Sequence, residues 1–249
     1  MNTSSPPRAV LFGSIGTLAE TSDLQRRAFN AAFAEAGLPW LWDDEVYRRL
    51  LQVPGGAARI AAYAADQGRE VDAAALHARK RVLFHETLQA VDLPPRPGVT
   101  DILDAAEEAG AALALVTTTS AETVLHLLEA LRPRLEPTTF DVITTADDGL
   151  PPKPHPAAYV HALFRLGMAR EDAVALEDSP ESAAAALGAG LRTVAMPGAA
   201  HAGRPFGPVA LVTPRPVPAD LGLTDWVSVD DDTLAAFLGE DRAAPRTGR

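Results

Sequence analysis

Residues 9–18 read AVLFGSIGTL, a short apolar run that ends in a turn containing Gly13 and Gly16. The run has the length and composition of a buried strand, and the apolar spacing at 23–37 predicts a helix after the turn. A strand followed by a tight loop and a helix is typical of parallel α/β sheets, in which ligands bind beyond the carboxyl ends of the strands. We therefore expect this loop to belong to a functional site.

The composition of the 249-residue chain argues against several classes of protein. Its formal net charge of −11 disfavours nucleic-acid binding, because phosphate recognition needs a basic surface. No apolar run is long enough to span a membrane, and the first residues lack the apolar core of a signal peptide. The absence of cysteine excludes disulfides and thiolate metal sites. We expect a cytoplasmic globular protein.

Beyond residue 99 the pattern alternates between helix and strand. Short apolar runs at 112–116, 140–145, 173–176 and 192–196 are separated by segments with helical spacing. Such alternation predicts a doubly wound parallel sheet covered by helices on both faces, that is, an α/β fold. The loops that follow these strands should converge on one site.

The segment between the first two strands differs from the rest of the chain. Residues 22–92 are alanine-rich with helical spacing, which predicts a helical cap domain inserted into an α/β core formed by residues 1–21 and 93–240. The prolines at 93–99 indicate a stiff linker. We further expect an edge strand at 208–213, a helix at 230–240 and a disordered tail at 241–249.

Two of the predicted loops carry groups suited to an anion. Thr117 and Thr118 open a helix N-terminus, where hydroxyl and backbone N–H groups bind phosphate, although simple helix capping by Thr119 or Ser120 is an alternative. Lys153 lies between prolines that limit where its ammonium points; the alternative is an ordinary solvated lysine. Only two of the 22 basic residues are lysines, Lys80 and Lys153, and this scarcity favours a functional role.

A third loop carries adjacent carboxylates directly after a buried strand. Glu177 and Asp178 should repel each other unless a cation shares their field. Mg²⁺, which is held by one or two carboxylates together with phosphate and water, would satisfy them. A helix N-cap is the alternative.

The order of these motifs resembles the haloacid dehalogenase superfamily. A strand with a GTL loop, a helical cap, LVTTTS, KPHPAAY and VALEDS follow one another, and WLWDDEVYRRLL adds similarity to the CbbY-type sugar-bisphosphate phosphatases, which act on xylulose 1,5-bisphosphate. The resemblance implies that Thr117 and the backbone after it hold the phosphoryl group and that Lys153 neutralises it. It implies that Asp178, with Glu177, binds Mg²⁺. Glu20 and Lys80 become candidates for substrate contact.

The departure from the family falls on its most informative motif. The family pattern is Asp-x-Asp-Gly-Thr-Leu, so the resemblance places Gly13 at the nucleophile and Ile15 at the general acid–base. Neither residue can do that chemistry. Gln25 stands where relatives usually have a cap histidine, and Ala57 where the CbbY type has a lysine.

Neighbouring groups offer limited substitutes for the missing acids. We expect Ser14 to point away from the site, because successive side chains at a strand end face opposite sides. Glu177 or Asp178 is a candidate base for direct water attack, without an acid for the leaving group. Mg²⁺ should bind weakly or not at all, whereas loss of two negative charges should preserve anion binding.

Three functions remain open on the sequence alone. The first is a catalytically impaired phosphatase-fold protein that binds a small phosphorylated sugar. The second is an active Mg²⁺-dependent sugar-phosphate phosphatase that uses displaced groups. The third is a protein-binding role, for example through Trp40 and Trp42 on the cap, although tryptophans there are more often buried.

Overall fold

The computed structural model describes residues 6–53 and 55–223. Six parallel strands form one sheet in the order β3-β2-β1-β4-β5-β6. Their bounds are Ala9–Phe12 (β1), Ala112–Val116 (β2), Val142–Thr144 (β3), Ala173–Glu177 (β4), Arg192–Ala195 (β5) and Leu211–Val212 (β6). The predicted parallel α/β fold is confirmed, and β6 supplies the expected edge strand.

The described residues form ten α-helices. They are α1 (Ile15–Leu18), α2 (Ser22–Glu35), α3 (Asp44–Leu50), α4 (Gly56–Asp66), α5 (Ala73–Ala90), α6 (Val99–Glu108), α7 (Ala121–Ala130), α8 (Ala157–Leu166), α9 (Pro180–Gly188) and α10 (Pro218–Leu221). Short 3₁₀ turns occur at Pro137–Thr139, Ala146–Asp148, Arg170–Asp172 and Ala199–His201. In this part of the chain, no helix has both the length and the apolar character needed to cross a bilayer.

The alternation of side chains along β1 divides the core into two layers. Val10 and Phe12 pack with residues of α6 and α7 on one face of the sheet, and Ala9 and Leu11 pack with residues of α8 and α9 on the other. The central strand is buried along its whole length because helices cover both faces. Its carboxyl end lies level with those of β2 and β4, since Phe12 pairs with Leu115 and with Leu176.

Helices α2 to α5, which we call the cap, have an aromatic core of their own. Phe29, Phe33, Trp40, Trp42 and Tyr47 pack together, with Trp42 fully buried. The suggestion that the two tryptophans form a protein-binding surface is wrong, because both side chains are buried in this cluster. The domain boundaries at 21/22 and 92/93 stay predictions; the helix predicted at 230–240 and the tail lie outside the described residues.

Candidate active site

The loop after β1 is shaped by groups that come from β4 and α8. The Gly13 N–H donates to the Leu176 carbonyl at 2.8 Å, which holds the loop against β4. A Cβ atom on Gly13 would overlap the carboxyl group of Glu177 and the hydroxyl of Tyr159. The space that a side chain at position 13 would need is therefore filled by its neighbours.

Lys153 lies at the centre of this arrangement. Only 7% of the residue is exposed, and its Nζ donates to the Val116 carbonyl at 2.8 Å, to Glu177 Oε1 at 3.0 Å and to the Gly13 carbonyl. The Tyr159 hydroxyl lies 3.4 Å from the same atom. All three N–H groups of the ammonium therefore have oxygen acceptors within the protein.

Glu177 is the most deeply buried acid near the site. Its Oε1 accepts hydrogen bonds from Lys153 and from the Tyr159 hydroxyl, whereas its Oε2 is buried with no partner among the described residues. Burial raises the pKa of Glu177 to about 7, against the lowering effect of Lys153. Burial and the Glu177 charge together raise the pKa of Tyr159, so this phenol stays protonated and donates.

Asp178 presents its carboxylate to a different partner. The Ser14 hydroxyl donates to Asp178 Oδ1 at 2.6 Å, so the expectation that Ser14 points away from the site is wrong. Ser14 is the N-cap of α1 and also accepts from the Gly16 N–H at 3.1 Å, and strand alternation no longer applies once the chain has turned into a helix. A Cβ atom on Gly16 would overlap the Asp178 carboxylate, so this approach requires glycine.

The threonines after β2 lie at the same edge of the sheet. Thr117 is buried, and its hydroxyl accepts from the Thr119 N–H at 3.0 Å. Ser120, one of the two alternatives considered, caps α7 and accepts from the Thr123 N–H at 3.4 Å. Thr117 and Thr118 both line the central cavity, as an anion-binding role requires.

The cap contributes positive charge from the opposite side. Lys80 is only 4% exposed, lies over the rings of Phe29 and Phe84 at 4.7 and 4.8 Å, and donates to Gln25 Oε1. Burial lowers the pKa of Lys80 to about 7, helped by the charges of Arg59 and Arg81. Near neutral pH the binding of an anion beside Lys80 should therefore favour its protonated, charged form.

Glu20 lies outside this arrangement. Its carboxylate accepts from the Ser22 N–H at 3.0 Å and from the Ala199 N–H at 2.6 Å. Although partial burial opposes the shift, these hydrogen bonds lower the pKa of Glu20. Glu20 does not line the cavity, so the structure gives it a role in joining two loops rather than in contacting a ligand.

A cavity of about 510 Å³ separates the cap from the loops at the strand ends. Among the described residues that line it, four are basic and one is acidic: Arg59, Lys80, Arg81, Lys153 and Asp178. Gly13, Ser14 and Ile15 form part of the same wall. This surplus of positive charge, on a chain with a net charge of −11, suits the cavity to a small anion.

The residues at the strand ends do not fit a Mg²⁺ ion. Gly13 and Ile15 offer no carboxylate, and Glu177 is bonded to Lys153 and Tyr159, outside the cavity lining. Asp178 is then the one carboxylate that faces the cavity among the described residues, and it already accepts from Ser14. A single carboxylate without a second acidic ligand is a weak basis for Mg²⁺ binding.

Sequence reasoning missed three residues of the site. Tyr159 was not singled out in the sequence, although a buried phenol needs a polar partner. Arg59 carried no signal among 20 arginines. Arg96, inside the predicted linker, is buried and donates to the carbonyls of Gly16, Met196 and Pro197 at 3.0, 2.8 and 2.7 Å, which ties the linker to the loop after β1.

Comparison with known proteins identifies the family of the chain. The family model of haloacid dehalogenase-like hydrolases matches residues 10–196. The protein CbbY of Cereibacter sphaeroides is 42% identical over 193 residues, which cover 76% of this chain and 84% of the relative. CbbY of Cupriavidus necator is 38% identical over 216 residues, 84% of this chain and 85% of the relative.

Solved structures give the same result. A mutant of CbbY from Rhodobacter sphaeroides in complex with xylulose 1,5-bisphosphate superimposes with a TM-score of 0.79 at 37% identity, covering 86% of this chain and 99% of that one. The same protein in complex with phosphate gives identical values. The chain belongs to the haloacid dehalogenase-like hydrolase family, and CbbY is among its relatives.

Proposed function

We propose that the protein binds a phosphorylated sugar in the cavity between cap and core and hydrolyses it poorly. The observation that carries the proposal is the charge of the cavity: four basic residues and one acid line it, and Arg59 and Lys80 have no carboxylate within ion-pair distance among the described residues. A sugar bisphosphate supplies negative charge at both ends, and charge-assisted hydrogen bonds to phosphate are among the strongest available to a protein. The complex of the relative CbbY with xylulose 1,5-bisphosphate supports this choice of ligand class.

The impaired hydrolysis follows from the residues at positions 13 and 15. Glycine offers no nucleophile and isoleucine transfers no proton, so neither covalent nor acid–base catalysis of the family type is available there. Loss of a covalent nucleophile costs about a million-fold in rate in a well-studied protease. Glu177 is a poor replacement because it is buried beside Lys153 and does not line the cavity.

Isothermal titration calorimetry with xylulose 1,5-bisphosphate tests the proposal. We expect saturable binding, and no binding of unphosphorylated xylulose, which has the same carbon skeleton but carries no charge. Phosphate release measured on the same samples with Mg²⁺ should stay at the level of a blank. Absence of bisphosphate binding would overturn the binding role, and release at an ordinary enzymatic rate would overturn the impairment.

A second candidate function rests on the contact between Ser14 and Asp178. The hydroxyl donates to the carboxylate at 2.6 Å, and both residues line the cavity. A serine beside a carboxylate base is a possible nucleophile, so hydrolysis by displaced groups would depend on this pair. If phosphate release is found, it should disappear in both Ser14→Ala and Asp178→Ala; persistence in either variant excludes this pair as the source.

A further inference from the structure

A cluster of metal-binding side chains lies outside the cavity, where α5 of the cap packs against α7 of the core. His85 extends from α5, and Glu122 and His126 extend from α7, four residues apart and therefore on one face of that helix. One ligand atom from each residue lies within 4.8 Å of the others. None of the three residues lines the cavity described above.

The two imidazoles are in direct contact. Their ring centroids are 4.3 Å apart with the planes inclined by 28°, so two positive charges could not be held there at low cost. The His126 Nδ1 atom is buried and has no hydrogen-bond partner within the described part of the chain. An unpaired buried nitrogen carries a cost that a ligand would relieve.

The ring of His85 is also held by a hydrogen bond to a neighbouring hydroxyl group. His85 Nε2 lies 2.9 Å from the hydroxyl of Thr123, which in turn lies 3.0 Å from the Ser120 hydroxyl. Histidine ligands of metals commonly donate their second nitrogen to such an outer partner, which fixes the ring. The outer contact is thus present in the structure.

We propose that His85, Glu122 and His126 form a binding site for a transition-metal dication such as Zn²⁺ that bridges cap and core. Two imidazoles and a carboxylate are a ligand set that Zn²⁺ accepts, with water completing the tetrahedron. Ligand atoms around tetrahedral Zn²⁺ are about 3.4 Å apart, so a pair at the 4.8 Å limit must approach by about 1.4 Å. Arg81 competes for Glu122, with Nη2 and Oε2 at 3.7 Å, and limits the affinity.

The site has a consequence for the cavity. Lys80, Arg81 and Phe84 of α5 line the cavity, and His85 follows them on the same helix. A metal held between His85 and α7 therefore fixes the helix that presents two of the four cavity cations. Occupancy should link α5 to α7 and so hold Lys80 and Arg81 in place beside the cavity.

Calorimetric titration of the chelator-treated protein with Zn²⁺ tests this site. We expect one equivalent to bind, with at least a ten-fold weaker affinity in Glu122→Gln and in His126→Ala. Two matched variants should leave the affinity unchanged: His161→Ala, a histidine on α8, and Asp178→Asn, which removes the carboxylate from the cavity. Absence of binding, binding unaffected by the cluster variants, or binding lost in Asp178→Asn would each overturn the proposal.

A spectroscopic readout keeps the test valid if His126→Ala fails to fold. Co²⁺ bound to two imidazoles and a carboxylate should give visible absorption bands, and these should be lost in the conservative variant Glu122→Gln. Zn²⁺ should also raise the unfolding temperature of the native protein but not that of Glu122→Gln. A histidine pair that serves only to pack the cap on the core would give neither the bands nor the metal-dependent shift.

Discussion

The cavity has a core wall, formed by the loops at the strand ends, and a cap wall, formed by residues of α2 to α5. The two walls differ in how their buried charges are paired. On the core wall the ammonium of Lys153 is paired with Glu177 and surrounded by protein oxygens. On the cap wall Arg59 and Lys80 have no carboxylate within ion-pair distance among the described residues, and both are largely withdrawn from water. A buried cation without a counter-ion costs free energy, which an anionic ligand would offset. The core wall is thus stable when empty, whereas the cap wall is arranged to receive an anion.

The largest effect should come from breaking the pair on the core wall. Lys153→Met leaves Glu177 buried without its counter-ion, so we expect a loss of about 3–5 kcal/mol in the free energy of unfolding at pH 8. Urea denaturation measures it. The double variant Lys153→Met/Glu177→Gln should recover most of the loss, and the exposed substitution Arg170→Met should change little. A loss below 1 kcal/mol would mean that the pair is not as isolated from water as its burial indicates.

The pH dependence of stability should follow from the same pair. Because the pKa of Glu177 is raised to about 7 in the folded state, the native protein holds a proton there that the unfolded chain has lost. Its contribution to stability is therefore present below pH 4.5 and is lost as the pH rises through 7. We expect Glu177→Gln to remove a decline on the order of 2–3 kcal/mol across this interval.

Urea titrations at several pH values between 4.5 and 8 measure that decline. The exposed substitution Glu107→Gln is the matched control and should reproduce the native profile. An unchanged profile in Glu177→Gln would show that Glu177 ionises as an ordinary carboxyl, which would contradict the raised pKa that its burial implies.

On the cap wall the expected effect is on binding rather than on stability. Arg59→Gln should weaken the binding of xylulose 1,5-bisphosphate by about 10- to 100-fold, because a charged hydrogen bond contributes about 1.5–3 kcal/mol. Calorimetry measures the affinity, and Arg69→Gln, an exposed arginine of the cap outside the cavity lining, is the control. Equal affinities in the native protein and Arg59→Gln would place the anion elsewhere.

The smallest effect should be a pH dependence that Lys80 imposes on binding. With its pKa lowered to about 7, Lys80 is charged below that pH and neutral above it. The affinity of the native protein relative to Lys80→Met should therefore fall by up to about ten-fold between pH 6.5 and 8.5. The ligand's own phosphates also titrate in this interval, but they affect both proteins equally, so their effect cancels in the ratio of the two affinities. A constant ratio would mean that Lys80 keeps one charge state throughout.

The contrast between the walls also explains how much the sequence could predict. The core wall could be predicted because the loops after short buried strands mark the edge where a parallel sheet binds ligands. Gly13, Ile15, Thr117, Lys153 and Asp178 were all placed there from the order of the motifs, and the structure brings them to one cavity.

The partners of those residues could not be predicted in the same way. Tyr159 bonds to Glu177 across 18 residues and Arg96 reaches Gly16 across 80, and such contacts depend on helix packing rather than on local pattern. Ser14 was misplaced because the alternation rule was extended beyond Phe12, where β1 ends, to the residue that caps α1. Glu20 was carried over by resemblance alone and is held by backbone N–H groups.

Impaired catalysis at positions 13 and 15 is tested by phosphate release from xylulose 1,5-bisphosphate with Mg²⁺, measured for the native protein and for Gly13→Asp/Ile15→Asp. An aspartate at position 13 must displace the Glu177 carboxyl, because both claim the same space beside Lys153. We predict no release by the native protein and measurable release by the double variant, in which Glu177 is freed and two acids are restored. Turnover by the native protein at an ordinary enzymatic rate would contradict the account.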